Sequence, residues 1–430
     1  MTIIIDPTKL NDETRPLLQT LVAYSKDAIL FATDYEIPAT KSSPAKVVSL
    51  THDLLMRFRE STSKNSEKQG DELSSTELRI EVLGKILGSG SFGKVYDSLG
   101  VLEVENDFHF KKKPAGKERI IKEIPFKVST VKQIIKEAER TQKASDFLRC
   151  KSPMFSETHG YLVMRKAPGE ELFSVVNQQN EGRITITIQD RLRLTLAILR
   201  AVEELHHKKL VHRDIKSENI IVDLKTMRVT IIDHAFTKEN KKNTFRHVKG
   251  TIENMPPEAL ISKQLSLATD IFAAGITISE LWGSTALYYL TNSNNIEALL
   301  KHHSLKYNRF RNMFRNLDVP TSAQKAITEI IAGLSSYQVK DRMSLEEAIL
   351  RCEDLLASND ESEELEEYEP REAEELEEED EIEAKQPLLS RFWGGLFNLN
   401  NVGLLSSTSK RRAFSYEPIH HSNSGPQGFS

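Results

Sequence analysis

Apolar residues at Leu17, Leu18, Leu21, Val22 and Ile29 recur at helical spacing, and Val47, Val48, Leu54, Leu55 and Phe58 repeat the pattern. The spacing predicts two amphipathic helices, over residues 16–31 and 45–59. Residues 60–76, rich in Ser, Lys, Glu and Asp and holding Gly70, lack any apolar period, so a domain boundary is placed there and a new domain begins near Glu77. Short β-like runs follow at 78–87, 94–98, 119–124 and 161–164, interrupted by one helical pattern over 131–148. Beyond Leu172 the periodicity is helical, with long segments at 191–205, 269–281, 323–334 and 345–356. This is a strand-rich half followed by a helix-rich half. The run EELEE occurs at 363–367 and again at 374–378, two copies that do not make a solenoid.

Composition narrows the class. A chain of 430 residues, 39% hydrophobic and 28% charged, can bury a large core and is not disordered throughout. Two cysteines, Cys150 and Cys352, are too few for a disulfide framework or a four-thiolate zinc site and suit a reducing, cytoplasmic setting. The first ten residues carry no basic lead into an apolar core, so no secretory signal is expected, and no apolar run of membrane-spanning length occurs. The net charge of −5 conceals a division: residues 360–383 hold 16 acids in 24 positions against Arg371 alone, a local charge of −15, so the rest of the chain carries +10. A run of this kind reads first as a solvated tail. The late patch of Phe392, Trp393, Leu396, Phe397 and Leu399 reads as a segment packing back on its domain or loosely ordered, with docking on a partner or membrane as the alternative.

The candidate chemistry lies between these regions. Gly88, Gly90 and Gly93 form GxGxxG in LGSGSFGKV. Glycines let backbone amides approach phosphate closely, but the motif alone is weak. A dinucleotide fold would open a helix at the third glycine. Here Lys94, Val95 and Tyr96 continue as a strand, so the motif reads as a strand–turn–strand flap over a nucleotide. Downstream stand VHRDIKSEN over 211–219 and IIDHA over 231–235.

The ordered series of glycine loop, lysine, glutamate, HRDxxxxN, aspartate and PPE resembles the eukaryotic-type serine/threonine protein kinase family over about residues 77–356. The resemblance implies an α+β bilobal fold, with a strand-rich N-lobe and a helical C-lobe over 77–357. A helical extension and linker (1–76) precedes it, and an acidic, disordered tail (358–430) follows. It implies ATP and Mg2+ as cofactors, protein substrates with Ser or Thr acceptors, no transmembrane segment and no nucleic-acid partner. Lys122 in RIIKEI matches the lysine on the phosphates, and its helical partner is read as Glu137. That choice puts Ala138, Thr141, Ala144 and Leu148 near one face, whereas Glu139 would turn Lys143 and Asp146 inward. Asp214 matches the residue that accepts the substrate proton, and Asn219 and Asp233 match the metal ligands. Lys216 and Thr251 resemble the serine/threonine subclass.

The nucleotide is expected against Leu87, Gly88, Ser89, Gly90, Ser91, Phe92, Gly93, Lys94 and Val95 above and Ile221 below, with Met164 at the back. Backbone near Ala167 should read the adenine edge, and Glu171 should meet the ribose. Glu258 with Arg342, and Asp270, match structural anchors. Arg213 is expected to bind a phosphate on the activation segment, with Thr244 the first candidate and Thr237 the second. The acidic tail is expected to contact the basic segment of Lys238, Lys241, Lys242, Arg246 and Lys249. Two departures count against ordinary switching: Ile120 narrows the adenine roof, and the usual DFG reads Asp233, His234, Ala235. The alternative reading is therefore a pseudokinase scaffold. Kinases of this degenerate kind, flanked by unrelated tails, also include effectors that intracellular bacteria deliver into host cells.

Overall fold

The computed structural model describes residues 2–25, 27–39, 44–61, 75–90, 92–104, 107–240, 249–284, 296–305, 310, 312–315, 317–366 and 414–415. The N-terminal region contains β1 (Thr2–Ile5), α1 (Thr14–Tyr24), β2 (Ile29–Leu30), β3 (Asp34–Ile37), β4 (Lys46–Leu50) and β5 (Leu54–Ser61). The first expected helix forms but is shorter. Asn11 accepts from the Thr14 amide at 2.8 Å at its start, and the chain turns extended at Ser25. The second expected helix, over 45–59, is a correction: those residues form β4 and β5. β1 supplies a parallel partner to β4, Ile5 opposite Leu50, and β3 pairs with β4 from the other side. Tertiary pairing overrides the local helical spacing.

β5 then pairs antiparallel with β6 (Ser75–Gly90), which pairs with β7 (Gly93–Glu103). With β8 (His109–Lys111), β9 (Arg119–Pro125), β10 (Met154–Phe155) and β11 (His159–Arg165), these strands make one sheet in the order β10-β11-β9-β7-β6-β5-β2, β8 branching from β7. Pairing thus crosses position 77, and the N-terminal strands widen the sheet that carries the glycine hairpin. A buried charge cluster ties the widening down: Glu81 on β6 is fully buried between Arg57 of β5, at 2.9 Å, and Arg119 of β9. Beneath it Ile5, Leu18, Val48, Leu54, Ile80, Val82 and Leu102 form a shared core.

α2 (Val131–Ala144), started by a capping box between Thr130 and Gln133, also stands against this sheet. The C-terminal half is helical. After β12 (Glu170–Glu171) come α3 (Leu172–Asn180) and α4 (Ile188–His207). The loop strands β13 (Leu210–Val211), β14 (Ile220–Asp223), β15 (Arg228–Ile231), β16 (Lys238–Glu239) and β17 (Lys249–Gly250) then lead to α5 (Pro257–Ser262), α6 (Leu267–Leu281), α7 (Ile296–Ser304), α8 (Thr321–Leu334) and α9 (Leu345–Glu366). Its core packs α4, α6, α8 and α9 around Leu199, Val202, Ile278, Trp282 and Ile331. Trp282 is fully buried, and its indole N–H donates to Thr195 at 3.0 Å. α9 continues ten residues past the expected end at Leu356. The remaining acidic run, over 367–383, and the aromatic patch over 392–399 lie outside the described residues. One tail element, β18 (Phe414–Ser415), pairs antiparallel with β17.

Candidate functional site

The hairpin of β6 and β7 holds the glycine motif in register: Gly88 opposite Val95, Ser89 opposite Lys94, Gly90 opposite Gly93. The last glycine is sterically compelled. Gly93 has φ +129°, and a Cβ there would fall 1.8 Å from the Glu123 carbonyl oxygen on β9, whereas a Cβ at Gly90 meets nothing within 4 Å. At the turn Phe92 packs edge-on against Phe236, centroids 5.2 Å apart, so the hairpin tip touches the segment after Asp233. Ser91 lies outside the described residues. Leu87 is exposed, while Val95, Ile221, Met164, Ala167 and Glu171 are partly buried along the cleft between the halves. Ile120 pairs with Met164 across β9 and β11.

Lys122 lies on β9 opposite Val95. Its Nζ reaches Glu137 Oε1 and Asp233 Oδ1, each at 2.7 Å. Glu137 is buried on α2, while Glu139 points to solvent. Burial opposes the charge on Lys122, but Asp233 and Glu137 outweigh it and raise its pKa. Asp233 is partly buried, and the ammonium holds its pKa down to about 2, so this carboxylate stays ionised. Burial pushes Glu137 upward against the same ammonium. Asp233 has φ +63° and Arg213 φ +74°, two non-glycine residues in the left-handed region, a strain that clusters at working loops.

Asp214 is held from several sides. Its Oδ1 accepts from the Thr251 amide at 2.8 Å and the Thr251 hydroxyl at 2.7 Å. Its Oδ2 accepts from Asn219 Nδ2 at 3.1 Å and lies 3.6 Å from Lys216 Nζ. Lys216 also donates to the Thr251 hydroxyl at 3.0 Å. The loop itself hangs from Asp270 in the first turn of α6, whose carboxylate takes the amides of His212 and Arg213 at 2.7 and 2.8 Å. Gly250 must be glycine, since a Cβ would come 2.3 Å from the Arg213 carbonyl oxygen. Glu258 and Arg342 form a bidentate pair at 2.8 and 3.1 Å, which fixes α5 against the turn before α9.

Among the candidates for regulation, Arg213 donates to the Phe236 carbonyl at 3.3 Å, and burial lowers its pKa to about 10. Thr237 is fully buried with its hydroxyl on His234 Nδ1 at 3.1 Å, so phosphorylation there would require opening the segment. Thr244 lies outside the described residues. Sequence reasoning overlooked the acidic patch beside Asp214. The Ser217 hydroxyl contacts Glu280 at 2.7 Å and Glu218 at 3.3 Å, and Glu280 lines a cavity of about 200 Å3 with Phe173, Asn177 and Ser217. The place of Glu218 inside HRDxxxxN was the available signal. Among the described residues no three His, Cys, Asp or Glu are grouped to hold a metal, and no helix is long and apolar enough to cross a membrane.

Comparison with known proteins agrees with this arrangement. The family model described as protein kinase domain matches residues 82–351. Aurora kinase C of Mus musculus is 27% identical over 271 residues, covering 62% of this chain and 88% of that protein. Aurora kinase of Saccharomyces cerevisiae is 27% identical over 287 residues, 65% of this chain and 71% of that one. The cAMP-dependent protein kinase catalytic subunit PRKX of Homo sapiens is 37% identical over 121 residues, 28% of this chain and 32% of its own. With well over half its length matched to that family and the lysine, glutamate and two aspartates gathered as described, the chain belongs to the protein kinase domain family.

Proposed function

We propose that the chain acts as an ATP-dependent serine/threonine protein kinase in which Asp214 accepts the proton of a Ser or Thr hydroxyl. The observation that carries this role is the fixation of Asp214 by Thr251, Asn219 and Lys216, which aims a buried carboxylate without neutralising it by a close ion pair. Lys122, locked by Glu137, is the cation for the phosphates. Its two short contacts keep it charged and in one place. Lys216, three ångströms from the Thr251 hydroxyl, puts a second positive charge beside the acceptor position.

The donor set fits magnesium. Asp233 offers an ionised carboxylate, and Asn219, whose Nδ2 is spent on Asp214, keeps its amide oxygen for a cation. Two protein oxygens do not complete an octahedron, so nucleotide phosphate and water must supply the rest. Bound there, magnesium would neutralise the charge that develops on the phosphates. The hairpin that carries Gly88, Gly90 and Gly93 would lie over the phosphates, and Phe92 packs on Phe236 in the segment after Asp233.

The test is transfer of labelled γ-phosphate to Ser/Thr peptides at graded magnesium. Asn219→Ala and Asp233→Ala should each lower kcat by about 100-fold or more while the proteins stay folded. Wild-type turnover by the Asp233→Ala protein would remove that residue from the metal site.

A further inference from the structure

The sheet that carries Lys122 holds a second concentration of positive charge, on its other face. Arg119 and Lys122 stand three residues apart on β9, an odd spacing that sends them to opposite faces. Across β5 and β6, Arg57 lies directly opposite Arg79, a like-charge pairing that destabilises a sheet unless it is neutralised. Glu81 answers part of that charge. Its Oε1 accepts from Arg57 at 2.9 Å and from Arg119, and its Oε2 accepts from the Ser98 hydroxyl at 3.0 Å, so both oxygens are occupied. Glu103, opposite Arg79, lies 3.7 Å from Lys111. Lys113 enters the same cluster partly buried, with no hydrogen bond or ion pair among the described residues. Burial, then Arg119 and Arg79, hold its pKa below the usual lysine value against the opposite pull of Glu81 and Glu103. Five cations, Arg57, Arg79, Lys111, Lys113 and Arg119, thus meet two carboxylates. The turn between β8 and β9 that follows Lys113 is ordered: the Lys117 amide donates to the Pro114 carbonyl at 3.0 Å, with Gly116 at φ +74°.

From this surplus of cations and the partnerless ammonium within it, we propose that Lys113, Arg79 and Arg119 form a binding site for a phosphomonoester dianion, separate from the place where Lys122 would hold nucleotide phosphates. Guanidiniums present paired donors in a plane that matches phosphate oxygens, and an ammonium adds a point charge. All three side chains belong to partly buried residues, so the site takes a compact anion in preference to a flat lipid surface. Bound there, the dianion relieves the repulsion between Arg57 and Arg79 and ties the turn before β9 to β6. The N-terminal strands take part, because β5 supplies Arg57 to the cluster.

The experiment needs neither ATP nor a peptide substrate, so its failure would leave the reading of Asp214 untouched. Thermal midpoints of the full chain are followed as inorganic phosphate replaces chloride at constant ionic strength, for the unaltered protein, Lys113→Gln and Lys113→Arg. Phosphate stabilises proteins in general by exclusion from their surface, an effect the three share, so the differences among them carry the result. At ten times the dissociation constant, the unaltered chain should gain about 3 °C more than Lys113→Gln, and Lys113→Arg should keep that gain. In chloride alone Lys113→Gln should melt no lower than the unaltered chain, since it removes a repelled cation. A larger gain with O-phosphoserine than with inorganic phosphate would point to a phosphorylated residue as the source, and equal gains to the free ion; both support the site. Equal phosphate gains in all three proteins, or a Lys113→Gln chain that melts lower in chloride, would overturn it. Sedimentation with vesicles of mixed phosphatidylserine and phosphatidylcholine that depends on Lys113, without the phosphate gain, would overturn the compact-anion site in favour of a lipid surface.

Discussion

His234 sits one residue past Asp233, fully enclosed, its ring edge-on to His212 at 5.1 Å and its Nδ1 on Thr237. Burial, and secondarily His212, lowers its pKa to about 3, so the imidazole is neutral and acts as a flat packing piece with one polar handle. The facing groups are His212, Asp233, Lys122 and Thr237. The sign of the pH effect follows. Between the unfolded value near 6.5 and the folded value near 3, the unfolded chain binds the extra proton, so the neutral histidine's contribution is complete above pH 6.5 and is lost as pH falls below it. Urea midpoints of the metal-free protein should drop between pH 7.5 and 5, and His234→Phe should flatten that slope. The slopes decide, because the variant also strands the Thr237 hydroxyl, at a cost of about 1–3 kcal/mol at every pH. An equal slope would assign the acid sensitivity elsewhere. Asp214, Asn219 and Asp233 stood out in the sequence because their spacing within short loops is itself the signal, and Lys122 because of its place in the β-like run RIIKEI. The neutral state of His234 was not, since it depends on enclosure by residues distant in the chain.

At the scale of elements, the glycine hairpin and the widened sheet carry the main predictions. Gly93→Ala places a Cβ against the Glu123 carbonyl at a positive φ and should cost about 2–3 kcal/mol in chemical denaturation, while Gly90→Ala, with open space, should stay within about 0.5 kcal/mol. Comparable losses for the two would contradict the hairpin geometry. Arg57→Ala leaves Glu81 buried without one of its paired guanidiniums and should cost about 2–3 kcal/mol. A change within error would mean that β5 does not lean on this cluster. The N-terminal strands show where pattern reading stops. Val47, Val48, Leu54 and Leu55 satisfy a helical period, yet the partners that make them strands, Ile5 and the far-off β6, are invisible to a local window. The helices α4, α6, α8 and α9 were legible because their periods are long and their partners are one another, whereas the shorter α3, α5 and α7 were not.

Over the whole molecule, two halves meet at a cleft where four elements deliver charge: β9 gives Lys122, α2 gives Glu137, the loop below α6 gives Asp214, and the segment after β15 gives Asp233. Loops carry Asp214 and Asp233, and regular elements anchor the catalytic-loop backbone and α5 through Asp270 and the Glu258–Arg342 pair. The tail's return to β17 was not legible, because a two-residue strand has no pattern of its own and depends on the edge that receives it. The proposed phosphoryl transfer has Asp214 at its centre. The most direct measurement is incorporation of labelled γ-phosphate into a basic Ser-containing peptide by the intact chain and by Asp214→Ala, with circular dichroism to verify the fold. A fall in kcat of about 100-fold or more is the expected result. Equal incorporation by the two proteins would contradict the account.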